Sequence, residues 1–203
     1  MNILAIETAT DVCSVSLYLN GFFVDMKSSF ESRSHSKSLA VFVQELLKEK
    51  NISISILDAI AISTGPGSFT GLRIGFSFVK GLAYPYRLPI IMVPTFQSLE
   101  YQITETEPHY IAIHSHSELV YAQKFENHKS VGKINNIPYS DISNKKLYGY
   151  GLKNKYFSAN YVEIIPSAKL VGKLGIDYFN DWKETDIKKI RPNYINSFNI
   201  GKK

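Results

Sequence analysis

The chain has 203 residues, 44% of them hydrophobic and 20% charged, which suits one large or two small packed domains and excludes a disordered or low-complexity chain. Its single cysteine, Cys13, excludes an internal disulfide framework. The net charge of +5 and pI of about 9.1 are compatible with an RNA partner without requiring one. Residues Met1 to Glu7 carry no basic region, long apolar run or cleavage site, and no stretch approaches the ~18 apolar residues of a membrane span, so a cytoplasmic protein is expected.

Ile3 to Thr8 is a short apolar run of strand type. Val12 to Leu19 alternates with period two: Val12, Ser14, Ser16 and Tyr18 share one face, and Cys13, Val15, Leu17 and Leu19 the other. Asn20-Gly21 follows, the strongest short hairpin signal, and Phe22 to Ser28 returns as a third strand. Cys13, with no basic group beside it in sequence, reads as a small core residue. After a polar loop from Glu31 to His35, where His35 reads as a cap or surface residue, a helix is expected over 36–50. Its apolar face is Leu39, Phe42, Val43, Leu46 and Leu47, with Lys48 and Lys50 near the C-terminal end.

Asp58 to Ser63 is the fourth strand and runs into Gly65-Pro66-Gly67, a tight loop feeding a helix over about 70–84. Gly65 and Gly67 leave loop N–H groups uncovered, and a strand–loop–helix of this kind makes an anion site. The standard motifs nevertheless fail: Thr70 stands where a dinucleotide fingerprint needs Gly, Leu72 and Arg73 where a P-loop needs Gly and Lys, and Pro66 where a nucleophile elbow around Ser68 needs Gly. In the helix, Arg73, Ser77 and Lys80 share one narrow sector. The remainder, including Leu72, Gly75, Phe76, Phe78, Val79, Leu82 and Ala83, forms an apolar arc of roughly 200°, where packing on one core needs about 100°. Such a helix is either central to one larger core or shared between its own sheet and a second protein.

Pro85 to Pro89 breaks this helix, Leu88 to Val93 reads as a fifth strand, and Thr95 is expected to cap a helix to about Ile103. The order β-β-β-α-β-α-β-α is that of a ribonuclease-H-like domain over 1–104. Thr104 to Pro108 marks a boundary, and a smaller α/β domain is expected over 105–203. There, Tyr110 to His114 and Leu119 to Phe125 suggest a hairpin, Leu147 to Gly151 and Val162 to Ile165 short strands, and Pro166-Ser167 the start of a helix to about Trp182.

Three constellations invite chemistry. His114 and His116, alternate residues on a strand with Glu118 next in phase, present either two imidazoles to one ion or the tip of a hairpin. Glu7-Thr8 at the end of the first strand sits where an acidic residue followed by hydroxyls would handle magnesium and phosphate. Lys183, Lys188, Lys189, Arg191, Lys202 and Lys203 form a basic end, either a solvated tail or a phosphate contact for RNA.

Ile3 to Thr10, Cys13 to Ser16, Arg33 to Ser36, Asp58 to Ala61, Gly65 to Gly75 and Lys80 to Ala83 together resemble the bacterial TsaB (YeaZ) family; beyond residue 100 only Ile165 to Ala168 and Pro192 to Tyr194 match. The resemblance implies an α/β fold of the actin/Hsp70/sugar-kinase (ribonuclease-H-like) type, with two related domains, the second reduced. It implies a non-catalytic dimerisation subunit of the complex that makes threonylcarbamoyladenosine in ANN-decoding tRNAs. Such a subunit pairs with the metal-bearing catalytic subunit TsaD, with the ATPase TsaE docked on the pair, or with its own copy when TsaD is absent. ATP and metal then belong to the partners, and this chain needs no cofactor. Carried onto this sequence, the partner face is Leu39, Phe42, Val43, Leu46, Leu72, Gly75, Phe76, Val79 and Ala83, with Gly75 and Gly81 permitting close backbone approach. A vestigial or shared nucleotide loop is Glu7, Thr8, Gly65, Gly67 and Ser68, with Glu7 where the family usually has Asp. The alternative expectation is a stand-alone ATP-binding phosphotransferase or ATPase using Glu7 and the Gly65 loop.

Overall fold

The computed structural model describes residues 1–31, 34–152 and 160–195; Arg33, Lys202 and Lys203 lie outside them. Strands β1 (Ile3–Glu7), β2 (Cys13–Leu19) and β3 (Phe22–Ser29) form the expected antiparallel meander. Asn20 and Gly21 turn the hairpin at φ 53° and 84°, the left-handed pair that a two-residue turn requires. Helix α1 (His35–Glu49), β4 (Ala59–Ser63), α2 (Phe69–Ala83), β5 (Ile90–Val93) and α3 (Thr95–Glu100) come next along the chain. β4 lies parallel to β1, and β5 parallel to β4.

β1 and β4 are buried along their whole length, because helices cover both faces of this sheet. Period-two alternation sorts their side chains. Leu4, Ile6, Ile60 and Ile62 face α1 and α2, where they meet Leu39, Leu46, Leu72, Phe76 and Val79. Ile3, Ala5, Ala59 and Ala61 face the other way.

The second sheet collects β6 (His109–His116), β7 (Leu119–Glu126), β8 (Lys129–Pro138), β9 (Leu147–Tyr150) and β10 (Tyr161–Glu163) in the order β10-β9-β6-β7-β8. β8 is an additional strand at its edge. Against this sheet α3 packs Phe96 and Leu99, which meet Ile111, Ile113 and Phe125. The buried carboxylate of Glu100 ties the helix to the sheet through His109 Nε2 at 2.8 Å and His128 Nδ1 at 3.1 Å.

The expected division at 104 does not separate two consecutive lobes, because the chain crosses back. α4 (Ala168–Asp177) and α5 (Phe179–Trp182) leave the second sheet. α4 lies on the free face of the first sheet, with Val171 and Leu174 on Ile3, Ala5, Ala61 and Ile91. The alternate polar residues of β2 hold it there: Ser14 Oγ accepts from Ala168 N–H (2.8 Å), Ser16 Oγ donates to the Ala168 carbonyl (2.8 Å), and the Tyr18 hydroxyl donates to the Lys169 carbonyl (2.6 Å). Strand β11 (Lys183–Glu184) then pairs with β5, and Ile190 is buried in the core beneath α1 and α2. The first lobe is therefore discontinuous, and the second is inserted into it.

Candidate functional site

The turn after β1 and the loop after β4 meet head-on. Gly65 sits at φ 99°, in the left-handed region that favours glycine, and is buried. Gly67, Gly71 and Gly75 form a row that lets α2 lie directly on Thr8 and Ala9. A Cβ on Gly67 would collide with the Ala9 carbonyl, one on Gly71 with the Thr8 carbonyl, and one on Gly75 with the Thr8 hydroxyl. Gly75 therefore serves this chain's own packing and not a partner's approach. Gly81 is exposed, and an added Cβ there meets nothing.

Close packing engages several of the N–H groups in and just after this loop. Gly65 N–H donates to Thr95 Oγ1 (2.9 Å), Ser68 N–H to the Ala9 carbonyl (2.6 Å) and Gly71 N–H to Ser68 Oγ (3.2 Å). Ser68 thus caps α2. Thr95, expected to cap α3, spends its hydroxyl on the Gly65 loop, and α3 begins without a side-chain cap.

Glu7 and Thr8 do not reach open space; both are fully buried. Glu7 Oε1 accepts from Ala9 N–H (2.6 Å) and Ser63 Oγ (2.9 Å), while Oε2 has no hydrogen-bond partner. Burial pushes the carboxyl up to about 7, against the lowering effect of the Ala9 and Ser63 bonds. Burial likewise pushes the Cys13 thiol up to about 11, consistent with a core residue. Below pH 4.5, the ordinary Glu value, folded and unfolded chains both hold the Glu7 proton. Between 4.5 and about 7 only the unfolded chain gives it up, so stability falls as pH rises, and above about 7 the loss is complete at about 3 kcal/mol. Glu7→Gln keeps the acceptor and removes the ionisation. It is expected to raise stability at pH 8 by up to about 3 kcal/mol and to do little at pH 4.5. Urea unfolding at the two pH values checks this; an equal shift at both would count against it.

Between the lobes lies a cleft of about 670 Å³. Asp11, Gly67, Ser68 and Phe69 line it from the first lobe, and His114, His116, Tyr121 and Tyr150 from the second. Of the five expected loop residues, only Gly67 and Ser68 border it; Glu7, Thr8 and Gly65 lie behind. Residues beyond β11 return here: Asn193 N–H donates to the Thr64 carbonyl (2.8 Å), and the Tyr194 ring packs on Phe69 with centroids 5.0 Å apart. His114 and His116 flank a bulge in the β6–β7 pairing, which interrupts the same-face alternation a shared ion would need. Among the described residues no group of three His, Cys, Asp or Glu side chains is placed to hold a metal ion. His35, expected as a cap or surface residue, is instead buried at the start of α1.

A second feature lies on the outer side of α1 and α2. Most of the expected partner face is not there. Leu39, Val43, Leu46, Leu72, Gly75, Phe76, Val79 and Ala83 are buried in this chain, because α2 packs on both β4 and α1. Only Phe42 of that set is part-exposed. The outward apolar surface is instead Ile74, Phe78 and Leu82, flanked by exposed Val41, Tyr84 and Tyr86. Phe78, Leu82 and Tyr86 line a groove of about 410 Å³ with Val43 and Leu47 of α1 and with Ile52 and Ile54. A signal for this face was present: Ile74, Phe78 and Leu82 recur every four residues, about 40° apart around the helix.

A mixed sheet with helices on both faces, joined by a second sheet across a ligand-sized cleft, is the fold of the actin, Hsp70 and sugar-kinase proteins. YeaZ from Pseudomonas aeruginosa superposes with a TM-score of 0.78 at 24% identity, over 96% of this chain and 99% of that one. The family model for TsaD, tRNA N6-adenosine threonylcarbamoyltransferase, matches residues 29–158. The tRNA threonylcarbamoyladenosine biosynthesis protein TsaB of Escherichia coli K12 is 41% identical over 101 residues, 49% of this chain and 42% of that protein. The tRNA N6-adenosine threonylcarbamoyltransferase of Staphylococcus haemolyticus is 31% identical over 153 residues, 64% of this chain and 45% of that protein. The chain belongs to this family, on its TsaB (YeaZ) branch. The matched stretches span less than half the length of these two curated relatives.

Proposed function

We propose that the chain is a non-catalytic accessory subunit in the synthesis of threonylcarbamoyladenosine on ANN-decoding tRNAs. The observation that carries this reading is the second apolar stripe of α2, Ile74, Phe78 and Leu82, left part-exposed beside a groove after α2 has filled its own core. On this reading the groove receives the equivalent helices of the catalytic subunit TsaD, which shares the family model. The ATPase TsaE docks on the pair, and a second copy of this chain takes the face when TsaD is absent. Three facts support leaving ATP and metal chemistry to the partners: the Gly65, Ser68 and Gly71 amides are engaged internally, Glu7 is turned into the protein, and no Lys or Arg is among the described residues lining the cleft. The same facts disfavour a stand-alone phosphotransferase.

The test is mass spectrometry of tRNA nucleosides from a reconstitution with and without this chain. Threonylcarbamoyladenosine is expected to fall to background without it. Undiminished modification in its absence would overturn the proposal.

A further inference from the structure

We infer that the flank of α2 turned away from α1, together with residues 188–194, binds the sugar-phosphate backbone of RNA. α2 lies over β4, with α1 packed on β2 and β3 to one side of it. On the other side β11 pairs with β5, and the chain beyond β11 returns along α2, with Ile190 buried in the shared core and the Tyr194 ring on Phe69. α2 therefore has two outer flanks. Phe78 and Leu82 line the groove with α1. Arg73, Ser77, Lys80 and Tyr84 fall within about 60° of one another on the opposite flank of the buried stripe.

The cations on this side have no acid to pair with. Between Asp58 and Glu100 the sequence holds no Asp or Glu. Among the described residues, Arg73 and Lys80 of α2 and Lys188, Lys189 and Arg191 of the returning segment have no carboxylate within 4.0 Å. Lys27, Lys50, Lys124, Lys146 and Lys173 each have one. Glu184 and Asp186, the acids nearest the segment in sequence, accept from the N–H groups of Thr185, Asp186 and Lys188. Arg73 stacks its guanidinium 3.8 Å over the Phe69 ring, which leaves the in-plane N–H groups to meet a phosphate.

RNA suits this strip better than an acidic peptide. Exposed rings bracket the cations of α2: Tyr84 at one end, and Tyr194, against Phe69, at the other. Arg73 and Lys80 between them stand seven residues, about 10 Å, apart along the helix. Cations that track a backbone beside rings that stack on unpaired bases are the pattern of single-stranded and loop RNA recognition. An acidic peptide would use the cations and leave the rings in water. That the RNA is the substrate tRNA rests on the accessory-subunit reading; the contact itself rests on these side chains.

The test measures the fluorescence anisotropy of a labelled, unmodified transcript of an ANN-decoding tRNA against the full chain, without TsaD, from about 50 to 200 mM salt. Five phosphate contacts predict that log affinity falls with log salt at a slope of about −4. Arg73→Gln with Lys80→Gln is expected to reduce that slope by about 1.5, and Lys188→Gln with Arg191→Gln to do the same. Lys37→Gln with Lys48→Gln, exposed cations of α1, removes the same net charge and should change the slope by less than about 0.5. All six positions are exposed or part-exposed, and far-UV circular dichroism checks each fold before titration. Polyglutamate should compete at least about tenfold less well than single-stranded RNA of equal charge. No tRNA binding at about 50 mM salt, an equal slope change in the α1 control, or equal competition by polyglutamate would each overturn the proposal. Because TsaD is absent, failure here leaves the groove reading intact, and failure of that reading in the nucleoside reconstitution leaves the RNA measurement intact.

Discussion

Gly71→Ala is expected to destabilise the protein by about 3 kcal/mol or more. Two effects oppose each other. Alanine is favoured over glycine in a helix by about 1 kcal/mol. Against that, the new methyl would overlap the Thr8 carbonyl oxygen, a buried backbone atom in the turn that directly follows β1. Relief requires α2 to lift from the turn after β1, which also breaks the Ser68 N–H bond to Ala9 and uncovers Leu72 and Phe76. Overpacking against buried backbone exceeds the propensity gain. Gly81→Ala isolates the propensity term, since nothing lies within 4 Å of its added methyl. It should stabilise by up to about 1 kcal/mol. Opposite signs for two Gly→Ala changes in one helix are the expected reading from urea unfolding. A stable Gly71→Ala protein would show that the α2–β1 contact yields more easily than its geometry indicates.

Phe78→Glu separates docking from folding. Phe78 is part-exposed at the groove, so the carboxylate can reach water and the chain should remain folded. Phe76, two residues earlier, is 3% exposed, and the same change there buries an unpaired charge and should unfold the protein. If the groove is the docking face, losing a central aromatic anchor should cost about 2 kcal/mol or more of binding to TsaD, roughly thirtyfold in Kd. Copurification and isothermal titration with TsaD measure it. A folded Phe78→Glu protein with unaltered affinity would exclude this groove as the interface.

The contrast between Phe76 and Phe78 also marks how much of the molecule can be read from its residues alone. Excess apolar surface on α2 is legible from the width of its arc. Its division into a buried stripe of Leu72, Gly75, Phe76, Val79 and Ala83 and an outer stripe of Ile74, Phe78 and Leu82 is not, because periodicity gives the phase between the stripes without saying which one meets the sheet. The meander, the Asn20-Gly21 turn and the first two helices are legible because alternation, turn residues and amphipathic period agree there. β8 is hidden, because Lys129–Pro138 is a mostly exposed edge strand whose Lys, Ser, Gly and Asn residues carry no alternating apolar signal. The Glu7 environment is hidden for another reason: a carboxylate at a strand end reads the same whether it faces a cleft or its own backbone. Nor does an amphipathic stripe state which sheet it covers, so α4, expected with the second lobe, belongs to the first.

That placement of α4 has a bearing on how the protein is made. Ser14 and Ala168, bonded in the finished molecule, are separated by 154 positions along the chain. During synthesis from the N-terminus, β1, β2, β4 and β5 can gather α1 and α2 on one side early. Their other side, with Ile3, Ala5, Ala61 and Ile91, stays bare until the ribosome has also delivered the entire second sheet. Closing so distant a contact is slow compared with local helix and hairpin formation. The nascent chain therefore passes through a stage with a half-dressed hydrophobic sheet, the kind of intermediate that chaperones shield and that aggregates when production outpaces them.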